Sequence, residues 1–387
     1  MTAVLVLNAG SSSLKLSLLG EDDRPIARGA VERIGLPDGL MSLHDAAGVA
    51  LVEERGELRG HQEAVSWGLA ALERWGAPRP AAAGHRVVHG GAEHAAPALV
   101  DGALLAQLRE LAYLAPLHLP GEIAVIEAIA ERYPGLPQVV CFDTAFHRRM
   151  PEIAQRFPLP EDLWRDGVRR YGFHGLSYEH VLASVAQARR GRVVIAHLGN
   201  GASLAAVRDG APVDTTMGLT PAGGIMMGTR PGDLDPGVAV HLLRRRGLDA
   251  DGLERLVTRE SGLLGVSGLS PDMRTLLEAR ASDPRADLAV SMFCYRARKE
   301  IGALAAALGG LDLLVFTGGI GERAAPVRAE ICAGLAHLGV RLDPGRNAAG
   351  ETVVSAPGSA VEVRVVRAAE ELVIARSVRD LLARRTA

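Results

Sequence analysis

A strand–turn–strand unit occurs twice in this sequence, about half a chain apart. The first has apolar strands at 4–7 and 14–19 around the turn NAGSSS, and the second has strands at 193–198 and 202–207 around Gly199-Asn200-Gly201. Solenoid repeats recur at much shorter periods, so this spacing indicates a duplicated domain. A chain of 387 residues is long enough for two domains of ordinary size, each with its own core.

Strands and helices alternate through the rest of the chain. Asp101 is placed to cap a helix whose leucines continue to Leu114, and a buried strand leads to Asp143. The other predicted elements are helices at 121–133, 287–308 and 370–385, a helix start at Ser270-Pro271-Asp272, strands at 139–142, 311–316 and 361–366, and a glycine loop at 317–321 before a helix that continues through 336. This alternation predicts an α/β protein.

The composition argues against several classes of partner. The net charge of −2, from 43 basic and 45 acidic residues, gives no basic field that would attract nucleic acid or an anionic membrane. No apolar run approaches the ~20 residues needed to cross a bilayer, and the first strand follows Met1 without a basic leader. Cys141, Cys294 and Cys332 lie far apart in apolar runs, as expected of reduced, buried thiols. We therefore expect a cytoplasmic protein with no nucleic-acid or membrane partner.

Three turns are suited to binding phosphate. The turn after the first strand offers backbone amides, three serine hydroxyls and nearby Lys15, and the second hairpin has a similar turn. A third glycine loop, at 318–321, lies between a strand and a helix, where helix amides face an anion. The chain has neither a Walker loop nor a dinucleotide fingerprint. These turns on a duplicated framework predict a nucleotide-binding cleft between two related domains.

Histidine and arginine side chains are concentrated in glycine- or proline-flanked segments. These are 84–91, 117–120, 171–175 and 227–230. Loops that hold several cationic side chains suit a polyanionic ligand. For His85, His89 and His147 we favour a structural role.

Eight ordered segments resemble the successive motifs of the acetate kinases over the full length of the chain. They are LVLNAGSSSLKL (5–16), HRVVHGG (85–91), CFDTAFH (141–147), YGFHG (171–175), HLGNG (197–201), MGTRPGDLDP (227–236), FTGGIGE (316–322) and EELVIAR (370–376). The resemblance implies the duplicated ribonuclease H-like fold of sugar kinases, actin and Hsp70, with the active-site cleft between two domains. It places the N-terminal domain at 1–146, joined by a C-terminal helix at 372–387, and the nucleotide-binding, dimerising C-terminal domain at 147–371. It also implies a homodimer.

The resemblance also assigns roles to residues. The transferring phosphoryl group would be held by Arg86, Arg230 and His174, with His118 close by. Asp143 and Glu370, with Asn8 nearby, would organise Mg²⁺, or Mn²⁺ as an alternative. The acyl methyl pocket would contain Val88, Leu117, Phe173 and Pro221, beside Arg86. The phosphates of ATP or ADP would be bound by Ser11, Ser13 and Lys15 and by His197, Leu198, Gly199, Asn200 and Gly201. The adenosine would be bordered by Asp272, Met273 and Arg274 and by Gly319, Ile320, Gly321, Glu322 and Arg323.

The chain departs from the family pattern at four places. Leu119 follows the histidine where the family usually has asparagine, Pro231 replaces a serine, Arg323 replaces the asparagine of the GIGEN loop, and Ala368-Ala369 replace a Thr-Asn pair. None of these changes removes a reacting group. They leave open which acyl chain and which nucleotide base are preferred. The sequence also leaves open whether GTP or pyrophosphate replaces ATP as the phosphoryl donor.

The implied reaction is the reversible, Mg²⁺-dependent, in-line transfer of the γ-phosphoryl group of ATP to acetate, which gives acetyl phosphate and ADP. A carboxylate acceptor is already ionised at neutral pH, so it needs no general base. The cationic residues would bind the equatorial oxygens of the transferring group. The alternatives are a propionate or butyrate kinase of the same family, a nucleotide-dependent regulatory or scaffold protein on the same fold, and a serine hydrolase. The last lacks a G-x-S-x-G elbow.

Overall fold

The computed structural model describes residues 3–185 and 191–386. The chain forms two compact units. The first unit contains the residues up to Phe146 and those from Ala369 onwards, and the second contains His147–Ala368. Ala387, the last residue of the helix predicted at 372–387, lies outside the described residues.

The strands are numbered β1 to β13 in chain order. They are β1 (Val4–Ala9), β2 (Ser13–Leu19), β3 (Pro25–Glu32), β4 (Gly39–Asp45), β5 (Ala50–Gly56), β6 (Ala82–Val87), β7 (Ala98–Leu99), β8 (Gln138–Phe142), β9 (Arg192–Leu198), β10 (Ala202–Arg208), β11 (Ala211–Thr215), β12 (Leu313–Thr317) and β13 (Glu362–Val365).

The α-helices are numbered α1 to α15. They are α1 (His61–Trp75), α2 (Gly102–Glu110), α3 (Leu119–Arg132), α4 (Glu152–Gln155), α5 (Glu161–Arg165), α6 (Gly175–Ser184), α7 (Pro236–Arg245), α8 (Ala250–Arg255), α9 (Gly262–Ser267), α10 (Met273–Ala279), α11 (Pro284–Leu308), α12 (Gly318–Arg323), α13 (Ala325–Ala333), α14 (Pro344–Ala349) and α15 (Glu370–Thr386). Short 3₁₀ segments at Leu111–Leu114, Ala145–Arg149 and Ala336–Leu338 and a π-helical turn at Leu256–Glu260 join some of them.

The two sheets share a five-strand pattern. In the first unit the order is β5-β4-β3-β2-β1-β6-β8-β7, with β1, β2 and β3 antiparallel and β1, β6 and β8 parallel. In the second unit the order is β11-β10-β9-β12-β13, again with three antiparallel strands followed by parallel pairs. The run β3-β2-β1-β6-β8 therefore has the same order and directions as β11-β10-β9-β12-β13, which confirms the duplication predicted from the two hairpins.

Helices cover both faces of the first sheet. On one face, α1 and α3 pack on a core that includes Leu16, Leu69 and Ile129. On the other face α15 lies close to Gly84, where an added Cβ would be 2.5 Å from Cγ2 of Ile374. A glycine in a central strand thus permits the close approach of the C-terminal helix. In the second unit, the long helix α11 packs against β9, β10 and β11.

Three local predictions need correction. The segment 317–321, expected to be a loop, is mostly helical, because α12 begins at Gly318 directly after β12. The helix expected to continue through 336 is divided at Ala324. The helix start predicted at Ser270-Pro271-Asp272 lies at the end of that segment, because Asp272 caps α10 and its carboxylate accepts from the amide of Arg274 at 2.9 Å.

The predicted cap at Asp101 and the predicted state of the cysteines agree with the structure. Asp101 caps α2 by accepting from the amide of Leu104 at 2.8 Å. The three cysteines are buried thiols that form no disulfide. Within the described ranges, none of the helices combines the length and the apolar character that crossing a bilayer would require.

Candidate active site

Three polar residues lie where adjacent parallel strands of the first unit end. Asn8 is near the end of β1, Arg86 is the penultimate residue of β6, and Asp143 directly follows β8. The register aligns Arg86 with Cys141, and the amide of Asp143 donates to the carbonyl of Val87 at 3.0 Å. Carboxyl ends of parallel strands share one edge of a sheet, and this is where α/β folds place ligands.

Arg86 is the centre of this group. Its Nη2 and Nε atoms donate to Oδ2 of Asp143 at 2.5 and 3.1 Å, and its Nη1 donates to Oδ1 of Asn8 at 3.2 Å. Glu370, the first residue of α15, adds a carboxylate oxygen 3.8 Å from Nε of Arg86 and accepts from Asn8 Nδ2 at 3.1 Å. The four side chains form one hydrogen-bonded network, and the predicted phosphoryl and metal residues of this unit are thereby brought together.

Burial strengthens the electrostatics of the network. The Asp143 side chain is fully buried and that of Arg86 is 12% exposed. Burial by itself would lower the pKa of Arg86, but the carboxylates of Asp143 and Glu370 outweigh it and raise that pKa. Arg86 therefore remains a cation at any pH at which the protein is folded.

The donor set at this edge suits a magnesium ion. Asn8, Asp143 and Glu370 offer amide and carboxylate oxygens, which are hard ligands. Across residues 3–185 and 191–386, no cluster of three or more histidine, cysteine or acidic side chains is arranged to hold a metal ion. Mg²⁺ usually takes one or two carboxylates and completes its shell with water and phosphate oxygens, so these residues fit that mode of binding.

The turn after β1 is held by backbone and imidazole hydrogen bonds. The amide of Gly10 donates to the carbonyl of Ser13 at 2.7 Å, and Nε2 of His61 lies 2.7 Å from the Gly10 carbonyl oxygen. Ser11 and Lys15 are exposed, and Ser13 is half-buried. The predicted phosphate-binding side chains are thus available on the turn, while His61 is a support that motif reasoning missed.

The residues predicted to bind the acyl group divide between the units. In the first unit Val88 is buried, one position beyond β6, while Leu117 is half-buried and precedes His118 at the N-cap position of α3. The amide of Val88 donates to Oε2 of Glu122 at 3.0 Å, so the segment that follows β6 is tied to the first turn of α3.

In the second unit two predicted histidines stack. His174 and His197 have ring centroids 4.2 Å apart and planes inclined by 19°. Nδ1 of His174 lies 2.8 Å from Oγ of Ser203, and Nδ1 of His197 lies 2.8 Å from Oγ of Ser177. His174 has a φ of 58°, in the left-handed region that side chains other than glycine seldom adopt. Such strain is found where a side chain must be aimed at a site.

Arg230 and His174 converge on the second glycine turn. A Cβ added to Gly201 would lie 2.8 Å from Nη2 of Arg230 and 3.4 Å from Nε2 of His174. Arg230 Nη1 also donates to the carbonyl of Pro221 at 2.7 Å. Gly228 leaves room for Asn200, whose Oδ1 would be 2.1 Å from a Cβ there. The structure therefore unites the predicted cations of this unit with the predicted phosphate turn at 199–201.

The third glycine segment lies beside that turn. β9 and β12 are parallel, with Thr317 opposite His197, and Gly318 begins α12 with a φ of 76°. A Cβ on Gly318 would lie 2.7 Å from the Leu198 carbonyl oxygen, so only glycine fits. Ile320 and Gly321 follow within α12, and Oε1 of Glu322 accepts from the amide of Ala368 at 2.9 Å.

A buried arginine supports α12 from beneath. Arg328 is 1% exposed and donates through Nη1 to the carbonyls of Gly321 and Glu322 at 2.8 and 2.9 Å. It also donates to the side chain and the carbonyl of Asn347, both at 2.8 Å. Arg328 thus fixes the end of α12, a role that no sequence motif indicated.

The other predicted residues of the second unit are placed as follows. Asp272 and Arg274 are exposed at the start of α10, and Met273 between them is buried. The Asp272 amide donates to Oγ of Ser270 at 3.1 Å, and the Asp272 carboxylate accepts from the amide of Arg274 at 2.9 Å. Phe173 is buried and its carbonyl lies 3.0 Å from Nε2 of His147. Among residues 3–185 and 191–386, no hydrogen bond or ion pair links Asp272, Met273 or Arg274 to α12.

The three histidines given structural roles are all buried. Burial lowers the pKa of both His85 and His147 to about 4, so both are neutral at physiological pH. His85 is hydrogen-bonded to Gln138 at 2.7 Å, and Nδ1 of His89 accepts from the amide of Gly91 at 2.9 Å. Neutral, buried imidazoles with protein partners are consistent with those structural roles.

The four departures from the family pattern occupy different environments. Leu119 is fully buried as the first residue of α3, whereas Pro231 is half-buried and Arg323 is exposed at the end of α12. Ala368 contributes its backbone amide to Glu322. The two alanines lie at the boundary between the units, just before Glu370.

Comparison with known proteins reveals close relatives along the whole chain. Residues 3–376 match the Acetokinase family. An acetate kinase of Rhodopseudomonas palustris is 47% identical over 392 residues, which cover 97% of this chain and 97% of the relative.

Two solved structures have the same fold. The crystal structure of Porphyromonas gingivalis acetate kinase has a TM-score of 0.88 and 40% identity, covering 99% of this chain and 100% of that one. The structure of a propionate kinase from Francisella tularensis subsp. tularensis has a TM-score of 0.92 and 34% identity, covering 98% and 100%. On the family match and this full-length identity, the chain belongs to the acetokinase family.

Proposed function

We propose that the protein is an acetate kinase, which transfers the γ-phosphoryl group of ATP reversibly to acetate in the presence of Mg²⁺. The observation that carries the proposal is the network around Arg86. A guanidinium is fixed there by Asp143, Asn8 and Glu370 at the ligand-binding edge of a sheet, in a chain of the acetokinase family.

The polar side chains of the site divide into two groups with different tasks in this reaction. Arg86 and Arg230, with His174, bind the oxygens of the transferring phosphoryl group, where negative charge must be stabilised in a loose transition state. Asp143, Glu370 and Asn8 would hold Mg²⁺, which would supply charge neutralisation for the phosphates when bound. The acetate carboxylate attacks directly, because it is ionised at neutral pH and requires no base.

The remaining residues bind the two substrates. Val88, Leu117, Phe173 and Pro221 surround the acyl methyl, with His118 close to the reacting groups. The turns at 8–15 and 197–201 bind the phosphates, and 272–274 and 319–323 border the adenosine. Support for the phosphate turns comes from the exposed Lys15 and Ser11 and from the convergence of Arg230 and His174 at Gly201.

We also propose that the protein is a homodimer in the cytoplasm. Helix α7 supports the dimer, because none of its ten residues, all of which the structure describes, is buried. Val238, Val240 and Leu243 on this helix are 40 to 45% exposed. Apolar side chains gathered on an uncovered helix are typical of a surface that meets a partner.

A propionate kinase is the second candidate. The fold matches that of the Francisella propionate kinase with a TM-score of 0.92. Acetate and propionate, the acceptors in the names of the two solved enzymes, differ by one methylene. A single methylene changes binding in an apolar pocket by about 1 to 3 kcal/mol, so the pocket must discriminate through small differences in volume.

An acceptor panel tests the proposal. The enzyme is incubated with Mg²⁺, ATP and formate, acetate, propionate or butyrate, and acyl phosphates are trapped by hydroxylamine as hydroxamates. We expect the largest kcat/KM with acetate. No hydroxamate from any acid would contradict the kinase assignment, and a larger value with propionate would replace acetate by propionate.

A further inference from the structure

Glu122 is a buried acid to which the mechanism above gives no role. It lies in the first turn of α3, where a glutamate usually faces solvent and interacts with the helix dipole. Here the residue is 2% exposed. Burying a carboxyl group carries a large desolvation cost, so its retention calls for a specific interaction.

The side chain and backbone of Glu122 contact two different parts of the proposed acyl site. Oε2 accepts from the amide of Val88 at 3.0 Å, and the Glu122 amide donates to the carbonyl of His118 at 3.0 Å. One residue thus links the strand end that carries Val88 to the segment that carries Leu117 and His118.

The protonation state of Glu122 fits a neutral link. Burial raises the pKa of this carboxyl to about 8, although the Arg86 charge and the Val88 amide act in the opposite direction and Asp143 raises it further. At pH 7 the group is therefore mostly uncharged. Oε1 is buried without a hydrogen-bond partner among residues 3–185 and 191–386. A neutral carboxyl can satisfy the Val88 amide without adding a negative charge beside Arg86.

We propose that Glu122 is a positioning residue that sets acyl-chain specificity by holding Val88 at a fixed distance from the segment containing Leu117 and His118. The inference rests on the proposed function, because it concerns the acceptor pocket of that same site. Loss of the link should let Val88 move away and admit a longer acyl chain.

The test compares selectivity in three variants and a control. In E122M the side chain has similar length but accepts no hydrogen bond from Val88, in E122D the reach is one methylene shorter, and in E122Q an oxygen acceptor is retained. The matched control is Asp101→Ala, which removes a carboxylate that accepts from a backbone amide in the same unit, at Leu104. The ratio of kcat/KM for propionate to that for acetate is measured for each protein, together with KM for ATP and the melting temperature.

We expect E122M to raise the propionate-to-acetate ratio by about tenfold, the value of roughly one methylene in an apolar pocket. E122D should shift the ratio in the same direction by less, and this variant decides the question if E122M does not fold. E122Q should keep the ratio within about twofold of the parent, and D101A should lower the melting temperature without moving the ratio. KM for ATP should change little in any of them.

A second measurement separates positioning from a general loss of structure. If Glu122 acts by holding the Val88 backbone, and hence the Val88 side chain, in place, then E122D in a Val88→Ala background should change the ratio no further, since substitutions that act through the same group are not additive. An unchanged ratio in folded E122M or E122D, or a shift in E122Q as large as that in E122M, would overturn the role given to Glu122. A parent enzyme that phosphorylates neither acid would instead overturn the proposed function and this inference together.

Discussion

The two units present arginines in contrasting surroundings. In the first unit Arg86 is bound by side chains, with the carboxylate of Asp143 at 2.5 Å and that of Glu370 at 3.8 Å. In the second unit Arg230 donates to the backbone carbonyl of Pro221 and lies beside Gly201. His174, which converges on the same glycine, is bonded to a serine hydroxyl.

The two arginines are therefore held in position for an anionic substrate in two different ways. Arg86 is held by a buried carboxylate that fixes its position and compensates its charge, so removal of Arg86 disturbs the protein as well as the reaction. Arg230 is oriented through a carbonyl, and its removal should affect the substrate more than the fold. Substitutions at Arg86, Arg230, Asp143 and Val88 test this contrast and the roles given to the residues around it.

The largest effect is expected on stability, after Arg86→Ala. Removing one partner of a buried ion pair costs about 3 to 5 kcal/mol, because the fully buried Asp143 carboxylate is left without its guanidinium. Arg230→Ala should cost less, because the acceptor described for Arg230 is the neutral carbonyl of Pro221 and not a buried carboxylate. Urea denaturation followed by circular dichroism measures both. Equal losses of unfolding free energy would contradict the contrast between the two units.

The second-largest effect is expected on kcat, which should fall when either Arg86 or Arg230 is replaced. Arg86 and Arg230 are both proposed to bind charge that develops on the transferring group, and loss of one such donor should lower kcat on the order of 10²-fold or more. Arg86→Lys is the matched control, since it keeps the charge but lacks the planar fork that contacts Asp143 and Asn8. Steady-state kinetics at saturating ATP and acetate check this, and a kcat within a few fold of the parent would remove that arginine from the site.

Asp143→Asn should weaken the binding of Mg²⁺ and so raise the Mg²⁺ concentration that the enzyme requires. Asp143 is proposed as a magnesium organiser and not as a general base, because the acceptor carboxylate has no proton to remove. Loss of a residue that orients a metal site typically costs 10- to 100-fold in affinity, so we expect half-maximal rate at roughly tenfold higher Mg²⁺, with a lower kcat. A magnesium titration of the rate decides between the two roles. An identical half-saturation point together with loss of the acidic limb of the pH–rate profile would indicate a base.

The smallest effect is expected at the acyl pocket. Val88→Ala should shift kcat/KM from acetate towards propionate or butyrate by about tenfold, because it enlarges the space for one or two methylenes. The acceptor panel measures the ratio, with KM for ATP as the internal control. A preference identical to that of the parent would remove Val88 from the pocket.

Short ordered motifs pointed to residues that the structure brings close together. Arg86 was predicted to hold the phosphoryl group and Asp143 and Glu370 to organise Mg²⁺, and the structure joins the three in one network although Asp143 and Glu370 lie 227 positions apart. Their roles stay predictions. The duplication was also predictable, because the two hairpins have the same strand and turn pattern. Such features are local in sequence, and the topology of the fold brings them together.

The remaining features depend on tertiary contacts that leave no local signature. Glu122 has the ordinary appearance of a first-turn glutamate, yet it is buried and bonded to Val88. The glycines of α12 have low helix propensity, but Arg328 binds the carbonyls of its last residues and fixes the helix. A tertiary contact thus overrides the local preference in both places, through Val88 at Glu122 and through Arg328 of the following helix at α12.

The central claim is that the side chains of both units act on one transferring phosphoryl group. It is tested most directly by a double-mutant cycle of Arg86→Ala and Arg230→Ala, in which kcat/KM for acetate is measured by hydroxamate trapping in the parent, both single variants and the double variant. Groups that bind the same transition state are not independent, so we predict that the double variant loses less than the product of the two single losses, by an interaction energy of at least about 1 kcal/mol. Losses that multiply to within twofold would show that the two arginines act independently and would contradict the account.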